Sequence, residues 1–104
     1  MVPLFAQAFA KAKQLGLKTV VTTSHSAPYA TDSPQDAVNY VKAWVQDSNI
    51  DVLSPQLYSS GAEAQPEFAE TSTCAAAGCH WDLYKQFKGT FAPSIVSYNQ
   101  YGAV

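Results

Sequence analysis

The stretch Asp51-Val52-Leu53-Ser54-Pro55-Gln56-Leu57-Tyr58-Ser59-Ser60-Gly61 decides the fold. It opens apolar and β-prone, turns polar at Gln56, Tyr58 and the serines, and breaks at Gly61. A buried strand that delivers polar groups to a site has this pattern. Residues 19–26 and 91–99 follow the same plan, with an apolar start and a polar end. In parallel α/β sheets ligands bind at the carboxyl ends of the strands, so three polar strand ends are expected on one face.

Helical periods separate these stretches. Leu4, Phe5, Ala8, Phe9, Ala12 and Leu15 recur at helical spacing and Gly16 supplies a stop, predicting a helix over 4–15. Lys11 and Lys13 sit late in it, where cations suit the helix dipole. Residues 17–23 form a short β-branched strand that empties into Ser24-His25-Ser26-Ala27-Pro28-Tyr29. Ser33-Pro34 then reads as an N-cap with Pro in the first turn, and Asp36 lies near the positive helix end. Ala37, Val38, Val41, Trp44 and Val45 make the apolar stripe of this second helix, which ends near 47–49 and leads straight into the central strand over 50–58.

Residues 61–78 are a long polar excursion with no sustained period, the kind of loop that is functional or poorly ordered. Residues 81–88 predict a short helix with Leu83, Tyr84 and Phe87 inward and Gly89 as its stop. The last strand is expected over 91–98. The order α-β-α-β-α-β implies one domain with three parallel strands and right-handed crossovers. Pro55 and Pro93 fall inside strands, where proline cannot donate to a ladder, and so mark edges or bulges.

Charged residues make up 13% of the chain, against about a quarter in ordinary domains. Low charge and an open sheet with two edges call for covering, so a homodimer or higher assembly is expected. All six cations are Lys and the net charge is −2, which argues against nucleic-acid binding, since tracking phosphates takes clustered Lys and Arg. No apolar run reaches the roughly 20 residues of a membrane span. Met1-Val2-Pro3-Leu4-Phe5 lacks the charged and long apolar regions of a secretory signal.

Three segments carry a family resemblance. Thr22-Thr23-Ser24-His25-Ser26-Ala27-Pro28-Tyr29, the stretch from Asp51 to Tyr58, and Ala92-Pro93-Ser94-Ile95-Val96 resemble successive strands of a glycoside hydrolase family 18 (chitinase-like) TIM barrel. The resemblance covers about three of the eight β/α units of such a barrel. It implies a partial barrel completed by oligomerisation, acting on β-linked oligo- or polysaccharides of the chitin type. In that family the segment matching Gln56-Leu57-Tyr58 lines the sugar subsite, with the tyrosine on the acetamido group. Two departures stand out. Ser59 occupies a position that is commonly acidic, and the family's Asp-x-x-Asp-x-Asp-x-Glu strand, which bears the catalytic acid, has no match.

Hydrolysis of a glycosidic bond takes two carboxyl groups, one as acid and one as base or nucleophile. Asp51 opens a strand, opposite the expected site, and Asp36, Asp47 and Asp82 belong to helix ends. Asp32, Glu63, Glu67 and Glu70 lie on loops after strand ends and are the catalytic candidates, or else solvated loop charges. His25, between Ser24 and Ser26, fits a general base, a sugar contact or a hydrogen-bonded structural histidine. A Ser-His-Asp set can be drawn from Ser24 or Ser59, His25 and Asp32, but there is no Gly-x-Ser-x-Gly elbow.

Tyr29, Tyr58, Trp81, Tyr98 and Tyr101 lie near strand ends or loops, where flat rings with polar tips suit stacking on sugars. Gln56 and Asn99 add polar contacts. Trp44 belongs to a helix stripe and is expected in the core, while Trp81 fits core and ligand contact equally. Cys74 and Cys79 are close enough in sequence for a local disulfide, which implies an oxidising compartment and a secreted parent protein. With His80 they also form an incomplete zinc set, for which no fourth ligand is evident. No cofactor or metal is expected. The readings left by the sequence are a glycoside hydrolase, a carbohydrate-binding remnant without turnover, and a folded unit with no independent activity.

Overall fold

The computed structural model of the chain describes residues 2–24, 33–68 and 80–103. Helix α1 (Val2–Gln14) leads to strand β1 (Val20–Thr23), helix α2 (Pro34–Gln46) and strand β2 (Val52–Pro55). A 3-10 helix (Trp81–Gln86), strand β3 (Thr90–Phe91) and a second 3-10 helix (Tyr98–Ala103) complete it. The three strands form an open, all-parallel sheet in the order β1-β2-β3. The α/β class and parallel order match the expectation. The third helix differs, being a 3-10 helix of six residues rather than an α-helix.

Helix α1 stops where its sequence said it would. Leu17 N donates to Ala12 O and Gly16 N to Lys13 O, both at 3.0 Å, with Gly16 at φ 78. These two bonds satisfy orphan carbonyls, and the left-handed turn they need suits glycine. Its apolar stripe is less covered than expected, because no residue of α1 is fully buried. Phe5 holds it by edge contacts with Trp44 and Tyr40, at 5.6 and 6.2 Å between centroids. Ser33 caps α2 through its carbonyl, which accepts from Asp36 N and Ala37 N, and its hydroxyl makes no cap bond.

The core lies on one face of the sheet. Val38, Val41, Trp44, Val45 and Ile50 pack with Leu53, Leu83 and Tyr84, and Phe9, Val21 and Phe87 lean on them. Thr23 and Tyr84 are both buried and share a hydroxyl hydrogen bond of 2.6 Å, tying β1 to the first 3-10 helix. Because strand side chains alternate, Val20, Thr22, Val52, Ser54, Thr90 and Ala92 take the other face. Among the described residues no helix covers it, and Val20 is 59% exposed. Parallel sheets are ordinarily covered on both faces, and among the described residues the α-helices cover only one face of this sheet.

The prolines set the extent of pairing. Ala92 N donates to Leu53 O and Ser94 N to Pro55 O, so Pro93 directs its missing donor away from β2, along the sheet edge. Pro55 is in the central strand and accepts from Ser94 on its β3 side, where its own nitrogen has no hydrogen to give. The ladder loses a bond there. β3 accordingly closes at Phe91, short of the expected 91–98, and pairing resumes only as an isolated bridge between Gln56 and Ser94.

Candidate functional site

The carboxyl ends of β2 and β3 meet on one side. Leu57 is buried, and its N–H donates to Ser94 O at 2.9 Å, which anchors the chain beyond Pro55. Gln56 and Tyr58 flank it at strand spacing and fall on the opposite face, both half-buried, with Gln56 Nε2 donating to the Tyr58 hydroxyl at 3.1 Å. Below them the Ser54 and Ser94 hydroxyls bond each other at 2.6 Å. Thus the Gln56 and Tyr58 predicted for the sugar contact are brought together by the strand itself.

The loop after Tyr58 is organised by Glu63. Its Oε1 accepts from the backbone N–H of Ser59 and Ser60 and from both serine hydroxyls, at 2.6 to 3.0 Å. Its Oε2 accepts from Gly61 N at 3.0 Å. These donors, the Ser60 amide first, hold the Glu63 carboxyl far below the usual carboxylate range. Ser59 Oγ also lies 3.3 Å from Glu67 Oε1, and Glu67 N donates to Leu57 O at 2.8 Å. The structure therefore brings Glu63 and Glu67 to one hydroxyl, beside Tyr58. Glu63 is an ionised loop anchor there and has no proton to give a leaving group near neutral pH.

Gln100, which the sequence reading did not single out, connects this loop to the end of the chain. It is 3% exposed, and its Nε2 donates to Glu63 O at 2.8 Å. Its Oε1 accepts from Val96 N at 3.0 Å and Ser97 N at 3.4 Å. Nothing in its polar surroundings, Asn99-Gln100-Tyr101, marks it as buried. Asn99 accepts from the Ser97 hydroxyl and is exposed, as are Tyr98 and Tyr101.

Trp81 is placed elsewhere. Its indole donates to Phe68 O at 2.7 Å, its ring lies 5.7 Å from Tyr84, and it lines an apolar cleft of about 510 Å3 with Leu57, Phe87, Phe91 and Pro93. A larger cleft, about 700 Å3, opens at the amino ends of the strands between Asp47, Asp51, Phe87 and Thr90. Asp51 is occupied with bracing there. Its Oδ2 accepts from Thr19 N at 2.8 Å, and Lys13 and Lys18 approach Oδ1 at 3.6 and 3.8 Å. The Thr19 amide, then the lysines, lower its pKa. Asp51 thus stands opposite the strand ends, as its position in the sequence implied.

His25, Tyr29, Asp32, Glu70, Cys74 and Cys79 lie outside the described residues, and with them the Ser-His-Asp set and the cysteine pair. Among the described residues no three His, Cys, Asp or Glu side chains come together to hold a metal ion, and no helix is long and apolar enough to cross a membrane. No family model, curated protein or solved structure matches the chain.

Proposed function

We propose that the chain is a glycoside-hydrolase-like protein that engages neutral β-linked glycans of the chitin type at the carboxyl ends of its parallel strands. The observation that carries this reading is the Gln56–Tyr58 pair, half-buried and hydrogen-bonded at the end of the central strand. The amide keeps a carbonyl oxygen and a further N–H, and the phenol keeps its own proton, so the pair offers donors and acceptors in fixed geometry. Sugar hydroxyl and acetamido groups need both.

Binding without turnover is the form of this reading that the carboxylates favour. Both glycosidase mechanisms use a protonated carboxylic acid, and Glu63 is held as an ion by five donors. Glu67 is the described carboxylate beside Tyr58 to be tested as an acid, with Glu70, Asp32 and His25 as the other candidates. The proposal also has two copies meeting through the uncovered sheet face. Val20, Thr22, Val52 and Thr90, away from the Gln56–Tyr58 end of the sheet, carry no charge, so two-fold pairing there sets no like charges together.

The test is titration with chito- and cello-oligosaccharides, followed by tyrosine and tryptophan fluorescence, with released sugars measured by chromatography. Saturable binding that is weakened in Tyr58→Phe and in Gln56→Ala, without product, is the expected result. Product release abolished by Glu67→Gln would establish a hydrolase instead. No binding and no release would overturn both forms.

A further inference from the structure

The second 3-10 helix is built as a display. Three residues per turn put positions i and i+3 on one side, and Tyr98 and Tyr101 are such a pair. Their rings lie 6.4 Å apart between centroids with planes only 7° from parallel. Tyr98 is 90% exposed and Tyr101 73%, the most exposed aromatic rings among the described residues. Two large rings are thus held parallel while giving most of their surface to solvent.

What holds them is buried. Gln100, between the two tyrosines in sequence, takes the amides of Val96 and Ser97 on one end and the Glu63 carbonyl on the other. The display is therefore fastened to the loop that Glu63 knots directly after Tyr58. Tyr101 also walls a pocket of about 520 Å3 whose floor is Ala92, Pro93 and Ile95, in the segment that continues β3. None of the described residues that line this pocket carries a charge.

We infer that Tyr98 and Tyr101 form a second glycan subsite, stacking pyranose rings of a neutral oligosaccharide whose chain runs on from Gln56 and Tyr58. The inference rests on the glycan reading above. A pyranose has an apolar C–H face and a rim of hydroxyls, which match the flat face and polar tip of a tyrosine. A stacked, largely exposed pair leaves outer ring faces free for pyranose contact, and rigid tyrosines give contact area with little conformational entropy to lose. Continuity is supplied by the Gln100–Glu63 hydrogen bond, which ties the display to the loop after Tyr58, while the Gln56–Ser94 bridge ties the segment before the display to the same strand end.

The experiment compares chitohexaose with chitobiose by calorimetric titration of the full chain. Tyr98→Ala and Tyr101→Ala should each weaken the hexaose about threefold to tenfold and leave the biose unchanged. Tyr101→Phe should retain the parent affinity, because the flat face is kept. Tyr58→Phe should weaken both sugars. Hexaose binding that survives both alanine variants would overturn the subsite while leaving the glycan reading intact. Equal losses for hexaose and biose in the alanine variants would also overturn it, since the rings would then act through the primary contact. Failure of the unaltered chain to bind either sugar would overturn the glycan reading, and the subsite with it.

Discussion

Glu63 shows how far one residue's role can depart from its type. In the sequence it is a loop carboxylate after a strand end, where an acid or base is sought; in the fold it is the acceptor around which Ser59, Ser60 and Gly61 close. Its folded pKa lies below the ordinary 4.5, so the stabilisation it contributes is complete above that pH. It is lost as pH falls below 4.5 toward the depressed folded value. Amide hydrogen exchange at Ser59, Ser60 and Gly61 should therefore lose protection on acidification, while Glu63→Gln should show weak protection at neutral pH and little change with acid. Equal protection in the two proteins at neutral pH would remove the anchor role. Gln56 and Tyr58 were singled out by the polar end of their strand and by the family resemblance, and their spacing puts them on one face. Gln100 was not, since its burial comes from partners distant in sequence such as the Glu63 carbonyl.

At the scale of elements, periodicity located α1 and α2 well and misjudged the third helix and the last strand. Local spacing carries an apolar stripe, but whether a six-residue segment winds as α or 3-10 depends on what it packs against. Strand β3 depends on its neighbour as well, since Pro55 in β2 withholds a donor from it. The entry to β3 is held by a close approach at Gly89. A Cβ there would lie 2.6 Å from the Phe87 ring and 2.7 Å from Asp51 O. The carbonyl belongs to the β2–β3 ladder, accepting from Thr90 N, and has little room to move. Gly89→Ala should cost about 1–3 kcal/mol through overpacking, read as a lower midpoint in urea unfolding with an unchanged slope. An unaltered midpoint would mean that the junction yields freely.

For the whole molecule the main fact is a sheet whose α-helices lie on one side, while among the described residues Val20, Thr22, Thr90 and Ala92 on the other side are uncharged and exposed. Light scattering should find a dimer, and Val20→Lys should shift it toward monomer without loss of circular-dichroism helix signal. A stable monomer of the unaltered chain would remove the second copy from the proposal. The sequence by itself determined the element order, the parallel sense of the sheet and the buried stripe of α2, because hydrophobic period and glycine or proline stops act over a few residues. Only the tertiary structure decided that Glu63 is an anchor, that Gln100 is a clamp, and that Tyr98 and Tyr101 stand parallel in solvent. Those roles arise from hydrogen bonds and contacts between segments far apart in the chain, and local pattern holds no record of which distant donor or carbonyl a side chain will meet.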